Sequence, residues 1–337
     1  MSDEKRPVED EMVKWAMSDV APMSDEAFSR GKAALLARID GEESGKVVPL
    51  APRRRRRIPL VAAAAVTVLI AGAALIVPSL TSRESGPNVA AADLLIQAAG
   101  KVGDAKLEPG QYLYVLQQAR WSNKDGNDYK WMFLTDHKFE TWIPYDRSGT
   151  WLHRRTNVGD KQWLIGSEKD VPFSVKDLER EDGEWKIAGG RWFGDKVPVS
   201  FTDPTVEYIA KLPRDPRELY EKLKRESHGK NLVLMITSGL DTGVYPADVR
   251  SAVFKALSYA PGLEIVDTAA VLDGRTGTAL GITDHGVTQQ IVINPATGEY
   301  LGSRSVMAED AWGLKKGQVI GITSLTTKVV SAMGAAA

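Results

Sequence analysis

Hydrophobic and polar positions divide the chain into three blocks. In the first, residues 24–39 predict a helix: Ser24 is a good N-cap, Asp25 and Glu26 occupy the first turn, and Gly41 follows at the C-terminal end. Its apolar positions, Phe28, Leu35, Leu36 and Ile39, make one narrow stripe. A shorter helix is expected over residues 8–17. The second block, residues 58–77 (IPLVAAAAVTVLIAGAALIV), has twenty residues without a charge. A helix of that length covers the roughly 30 Å hydrocarbon core of a bilayer, so one transmembrane helix is predicted.

The third block, from residue 78 onward, changes period twice. Residues 90–99 predict a helix with Leu94, Leu95 and Ala98 on one side. After Glu108-Pro109-Gly110, Tyr112, Tyr114 and Leu116 alternate with Leu113, Val115 and Gln117, the period of a strand. Further strands are expected over 129–134, 139–144 and 150–157. Helices return at Asp203-Pro204 and Asp215-Pro216, where an N-cap precedes a proline at the first helical position. The second of these runs to about Glu226, and another helix after Tyr245-Pro246 carries Val249, Val253 and Leu257 on one face. Strands close the chain at 263–271, 278–284, 287–294, 300–306 and 319–330, with hairpin turns at Asp273-Gly274, Asp284-His285-Gly286 and Asn294 to Gly298. Strands, helices, then strands without βαβ alternation predict an α+β fold: a curved antiparallel sheet, half-barrel-like, with a helical insertion.

Charge fixes the expected topology. Arg53, Arg54, Arg55, Arg56 and Arg57 immediately precede the apolar run, and basic residues beside a span stay on the cytoplasmic side. The expected organisation is a partly helical cytoplasmic segment (1–52), a basic stop (53–57), the span (58–77), a linker and helix start (78–92), an extracytoplasmic domain (93–330) and a tail (331–337). A buried core helix, a cleavable signal peptide and a twin-arginine signal compete with the span. The signal peptide fits poorly with more than fifty residues before the basic run. Residues 1–50 hold seven basic against eleven acidic side chains, and the arginines raise the inner segment from −4 to +1.

Composition removes whole classes of chemistry. With no cysteine, disulfides, thiolate metal sites and a cysteine nucleophile are excluded. A net charge of −1 offers nothing to a nucleic-acid backbone, so no nucleic-acid partner is expected. The four histidines, at 137, 153, 228 and 285, form no HxH or HExxH pair. Asp241-Thr242-Gly243 matches the aspartic-protease tripeptide, but one copy supplies one carboxylate, and a loop at a strand end is the expectation. Ser227-His228-Gly229-Lys230 has the SxxK spacing without a KTG partner and reads as a helix terminus. Asp125 to Asp128 reads as a hairpin tip, and Glu179, Glu181, Asp182 and Glu184 as a solvated loop. Seven tryptophans between 121 and 192 read as a core or half-buried sheet face. No catalytic residue, metal site or cofactor is expected, and the chain reads as non-enzymatic.

Two resemblances follow from the order of these features. The acidic N-terminal helix, single span, aromatic strands, Leu212-Pro213-Arg214-Asp215-Pro216 and the Asn294-Pro295-Ala296-Thr297-Gly298 turn resemble an uncharacterised actinobacterial family of single-span membrane proteins. The short inner segment is similar to those of anti-sigma factors, though the zinc-bearing motif of that group needs His and Cys that residues 1–57 do not contain. The meander with a helical cover is similar to the lipoprotein-carrier half-barrel (LolA/LppX-like), which implies a face able to hold an acyl chain or peptide. The resulting expectation is a membrane-anchored binding or sensory protein. Its partners are the bilayer, a lipid or peptide outside and, through Phe28, Leu35, Leu36 and Ile39, a cytosolic regulator such as a sigma factor. An anti-sigma-like regulator and an envelope hydrolase are the alternatives.

Overall fold

A computed structural model describes residues 88–125, 130–171, 182–191 and 197–335. The expected span, the arginine run and the apolar stripe of residues 28–39 lie outside the described residues. Among the described residues no helix is long and apolar enough to cross a membrane.

The described residues build an α+β domain around a single antiparallel sheet of nine strands. Four strands precede the helical insertion: β1 (Tyr112–Lys124), β2 (Met132–Pro144), β3 (Thr150–Ile165) and β4 (Gly183–Ala188). Five follow it: β5 (Glu264–Leu272), β6 (Arg275–Asp284), β7 (Val287–Asn294), β8 (Glu299–Met307) and β9 (Val319–Val330). The order β4-β3-β2-β1-β9-β8-β7-β6-β5 places the last strand in the middle, where β9 joins two meanders by pairing with β1 and β8. The sheet is not closed, and β4 and β5 are its edges. The helices are α1 (Val89–Ala99), α2 (Val206–Lys211), α3 (Pro216–Glu226), α4 (Leu232–Leu240) and α5 (Ala247–Leu257).

Strand alternation gives the sheet two unlike faces. On one, Val115, Ile143, Leu280, Ile291 and Leu325 join Leu95, Leu223, Ile236, Val253 and Leu257 of the helices in the main buried cluster. Each such leucine or isoleucine stabilises the fold by about 1.5–3 kcal/mol. On the other face Tyr114, Trp142, Leu152 and Val330 form a smaller cluster, capped by Met333 and Ala335. Trp142 Nε1 donates to the Ala335 carbonyl at 2.8 Å, so residues after β9 lie against the outer sheet face.

Several elements depart from their sequence-based expectation. Residues 129–134 and 139–144 are expected as separate strands, yet residues 132–144 form one, β2. The polar stretch between them stays extended because its side chains find cross-strand partners: Asp136 pairs with Arg120 at 2.7 Å, and His137 meets Asn157 at 2.9 Å. β3 likewise runs past 157 to Ile165, after a register irregularity opposite Leu134 and Asp136. Asp203 does not cap α2; Thr205 does, accepting from Tyr208 N at 3.0 Å, while Asp203 is held by Arg191 at 3.1 Å. Asp215 does cap α3, accepting from Arg217 N and Glu218 N at 2.9 Å each. The acidic stretch expected as a loop contains β4, in which Glu184 pairs with Arg154 at 2.8 Å. Glu179 and Glu181 lie outside the described residues. α4 has no counterpart in the sequence reading; Asn231 caps it, accepting from Val233 N at 3.0 Å.

Candidate functional site

The helix-side face of β1, β2, β3, β8 and β9 forms the floor of a pocket of about 390 Å³. Its opposite wall is α4, the turn after it and residues 202–204. Because side chains alternate, every second residue of each strand reaches this floor: Gln117 and Trp121 from β1, Phe139 and Thr141 from β2, Trp151 and His153 from β3. Ser303, Ser305 and Thr323 continue it across β8 and β9. Glu140 and Arg154 border the pocket, but their side chains alternate to the opposite face, where Glu140 accepts from Tyr114 Oη at 2.8 Å.

Aromatic rings and polar groups divide the pocket. Trp121 and Phe139 lie with ring centroids 5.4 Å apart. Trp121 Nε1 is spent on Thr323 Oγ1 at 3.1 Å and Trp151 Nε1 on the Arg147 carbonyl at 2.8 Å, which fixes both indoles. Gly190 adopts φ +73°, and a side chain there would run into the Trp151 ring, so only glycine fits. Its carbonyl lies 3.0 Å from His153 Nε2. A carbonyl only accepts, so Nε2 carries the proton and His153 Nδ1 accepts from Thr141 Oγ1 at 3.0 Å. Burial pulls the His153 pKa down to about 4, only partly offset by the Gly190 carbonyl, and the ring is neutral.

Asp241 is the one buried carboxylate of α4 and its turn, at 8% exposure. The sequence reading puts it in a strand-end loop. It is instead the C-cap of α4, and both carboxylate oxygens point at β8: Tyr300 Oη donates to one at 2.6 Å and Ser303 Oγ to the other at 3.2 Å. Burial raises its pKa to about 7 against the pull of those two hydrogen bonds. The carboxyl end of a helix also disfavours an anion. Tyr300 is itself pushed well above its ordinary range, first by burial and then by the Asp241 charge.

Four more lining hydroxyls share one habit. Thr237 and Ser238 donate to the Leu234 carbonyl at 3.1 and 2.7 Å, Thr242 to Gly239 O at 2.6 Å and Ser305 to Gln289 Oε1 at 2.6 Å. With Thr141 and Ser303, six lining hydroxyls have directed their protons into the protein. Each keeps only acceptor capacity toward anything that enters the pocket.

No protein-family model matches the chain, and no curated protein matches it.

The other motifs do not converge here. Ser227 is the C-cap of α3, and His228 takes φ +49° in the turn beyond it, as the helix-terminus reading expects. His285 sits in the β6–β7 turn at φ +45°, 2.7 Å from Asp284. Asp125 accepts from Lys130 N at 3.2 Å, and residues 126–129, on which the hairpin-tip reading falls, lie outside the described residues. Among the described residues no three His, Asp or Glu side chains gather as a metal site would need. The pocket itself was not legible beforehand, apart from the aromatic density of β1–β3 and the Asp241 tripeptide.

Proposed function

We propose that this chain is a single-pass, membrane-anchored, non-enzymatic binding protein whose outer domain takes a peptide-like ligand into the pocket between the sheet and α4. The observation that carries the reading is the pocket, walled by Trp121, Phe139 and Trp151 on one side and by oxygen acceptors on the other. Aromatic surface beside hydrogen-bonding groups suits a ligand with both apolar and polar parts. An acyl chain would offer no donor to the acceptor capacity that Asp241, Ser303 and Thr237 keep toward the pocket. A peptide, which brings donors as well as apolar parts, therefore fits better than a lipid tail.

Asp241 gives no support to a protease dyad within one chain, because both oxygens accept hydroxyls and no second carboxylate shares a proton with it among the described residues. The membrane part of the proposal rests on the twenty uncharged residues at 58–77 behind Arg53 to Arg57. The stripe of Phe28, Leu35, Leu36 and Ile39 supports a second, inner role: about fifty residues cannot bury such a stripe alone, so it needs a partner such as a cytosolic regulator.

Native mass spectrometry of the full-length protein, released from membranes in mild detergent, tests the pocket. The expected spectrum shows a bound small mass in the wild type that is lost in Ser238→Trp, which places an indole at the exposed mouth. The same ligand-free mass for both proteins, or an adduct indifferent to the substitution, contradicts the proposal.

A further inference from the structure

We propose that the ligand presents a primary ammonium on an alkyl chain, as a lysine-type side chain does, to the buried Asp241 in the pocket wall. The inference deepens the binding proposal above and rests on it. Three independent features of the pocket converge on this chemistry.

The first is an uncompensated acid. Asp241 is buried, borders the cavity, and has no Lys, Arg or His within salt-bridge reach among the described residues, whereas the neighbouring Asp203 is held by Arg191 at 3.1 Å. Two neutral hydroxyls orient its carboxylate without neutralising it. A cation arriving from the cavity would supply the opposite charge that the surrounding residues do not.

The second is the direction of the surrounding protons. The hydroxyls of Thr237, Thr242 and Ser303 donate into the protein and can only accept from a ligand. Backbone carbonyls at the carboxyl end of α4 add the negative end of the helix dipole on the same wall. An ammonium offers three donors and no acceptor, the complement of this wall. A carboxylate, phosphate or sulfate would meet acceptors along this wall.

The third is the aromatic floor. Trp121, Phe139 and Trp151 line the pocket and give an alkyl chain apolar surface.

Isothermal titration calorimetry on the full-length protein separates this inference from the broader one. The probes are Nα-acetyl-lysine amide, the Nα-acetyl-norleucine amide that lacks its ammonium, and phosphoethanolamine, which carries the same ammonium beside a phosphate. The lysine probe is expected to bind at least tenfold more tightly than the norleucine probe, and phosphoethanolamine to bind weakly. Asp241→Asn, which keeps the side chain's shape, is expected to erase the lysine preference. Equal or tighter binding of norleucine amide, or a lysine preference that survives Asp241→Asn, overturns the ammonium assignment and leaves the pocket as a binding site. Phosphoethanolamine as the tighter ligand overturns the peptide-type source. Absence of binding by all three overturns the assignment and counts against the pocket reading as well.

Discussion

Asp241 carries a cost in the folded chain. Its pKa is raised to about 7 from an ordinary value near 3.8, so between those values the folded state holds a proton that the unfolded state has released. Its contribution to stability is therefore fully present below about pH 4 and is lost as pH rises toward 7. A rise of that size is equivalent to an upper bound on the order of 4 kcal/mol. Chemical denaturation across pH 4 to 8 is expected to show wild-type stability falling over that window. Asp241→Asn should flatten the profile and be the more stable protein at pH 8. A wild-type profile without this fall, or a variant less stable at pH 8, contradicts the account. A carboxylate retained where an amide would be more stable is what a binding role predicts. The tripeptide containing Asp241 was visible in the sequence, but its environment was not. Tyr300 and Ser303 lie 59 and 62 residues away and reach it only through the register of β8.

Among the elements, α4 decides whether there is a pocket. It is nine residues long and apolar nearly all round, so periodicity alone does not separate it from a buried strand. Only the Asn231 cap marks it in the sequence. By contrast α3 was legible, since Asp215, Pro216 and Glu218 supply cap, first residue and capping-box spacing together. The hairpins of β5 to β8 were legible for the same reason, each turn carrying a glycine, Gly274, Gly286 or Gly298, where left-handed backbone is needed. The full length of β2 was hidden because its polar residues resemble a turn, when cross-strand pairing satisfies them. The seat of α4 on the loop before α2 depends on Gly239. A Cβ there would collide with the Phe201 ring, which stacks on Tyr245 with centroids 4.5 Å apart. Gly239→Ala is expected to destabilise the domain by about 1–3 kcal/mol through overpacking. Thermal unfolding checks this, and a melting temperature equal to the wild type's would show that α4 is not seated as described.

For the whole molecule, the sheet and its helical cover wall the pocket on the segment that follows the candidate span. β9 ties the two meanders into one sheet, so floor residues contributed by β1, β2 and β3 face the same cavity as those of β8 and β9. On the other sheet face Met333 and Ala335 pack against Tyr114, Trp142, Leu152 and Val330. The proposed function then turns on which side of the membrane that pocket opens. The absence of cysteine makes the question direct, because a single introduced thiol is the only one in the chain. Lys316→Cys, at an exposed turn between β8 and β9, and Lys46→Cys, before the arginine run, are labelled with a membrane-impermeant maleimide in intact cells. The account predicts labelling of Lys316→Cys without permeabilisation and of Lys46→Cys only after it. The reverse pattern, or protection of both until the membrane is opened, contradicts it.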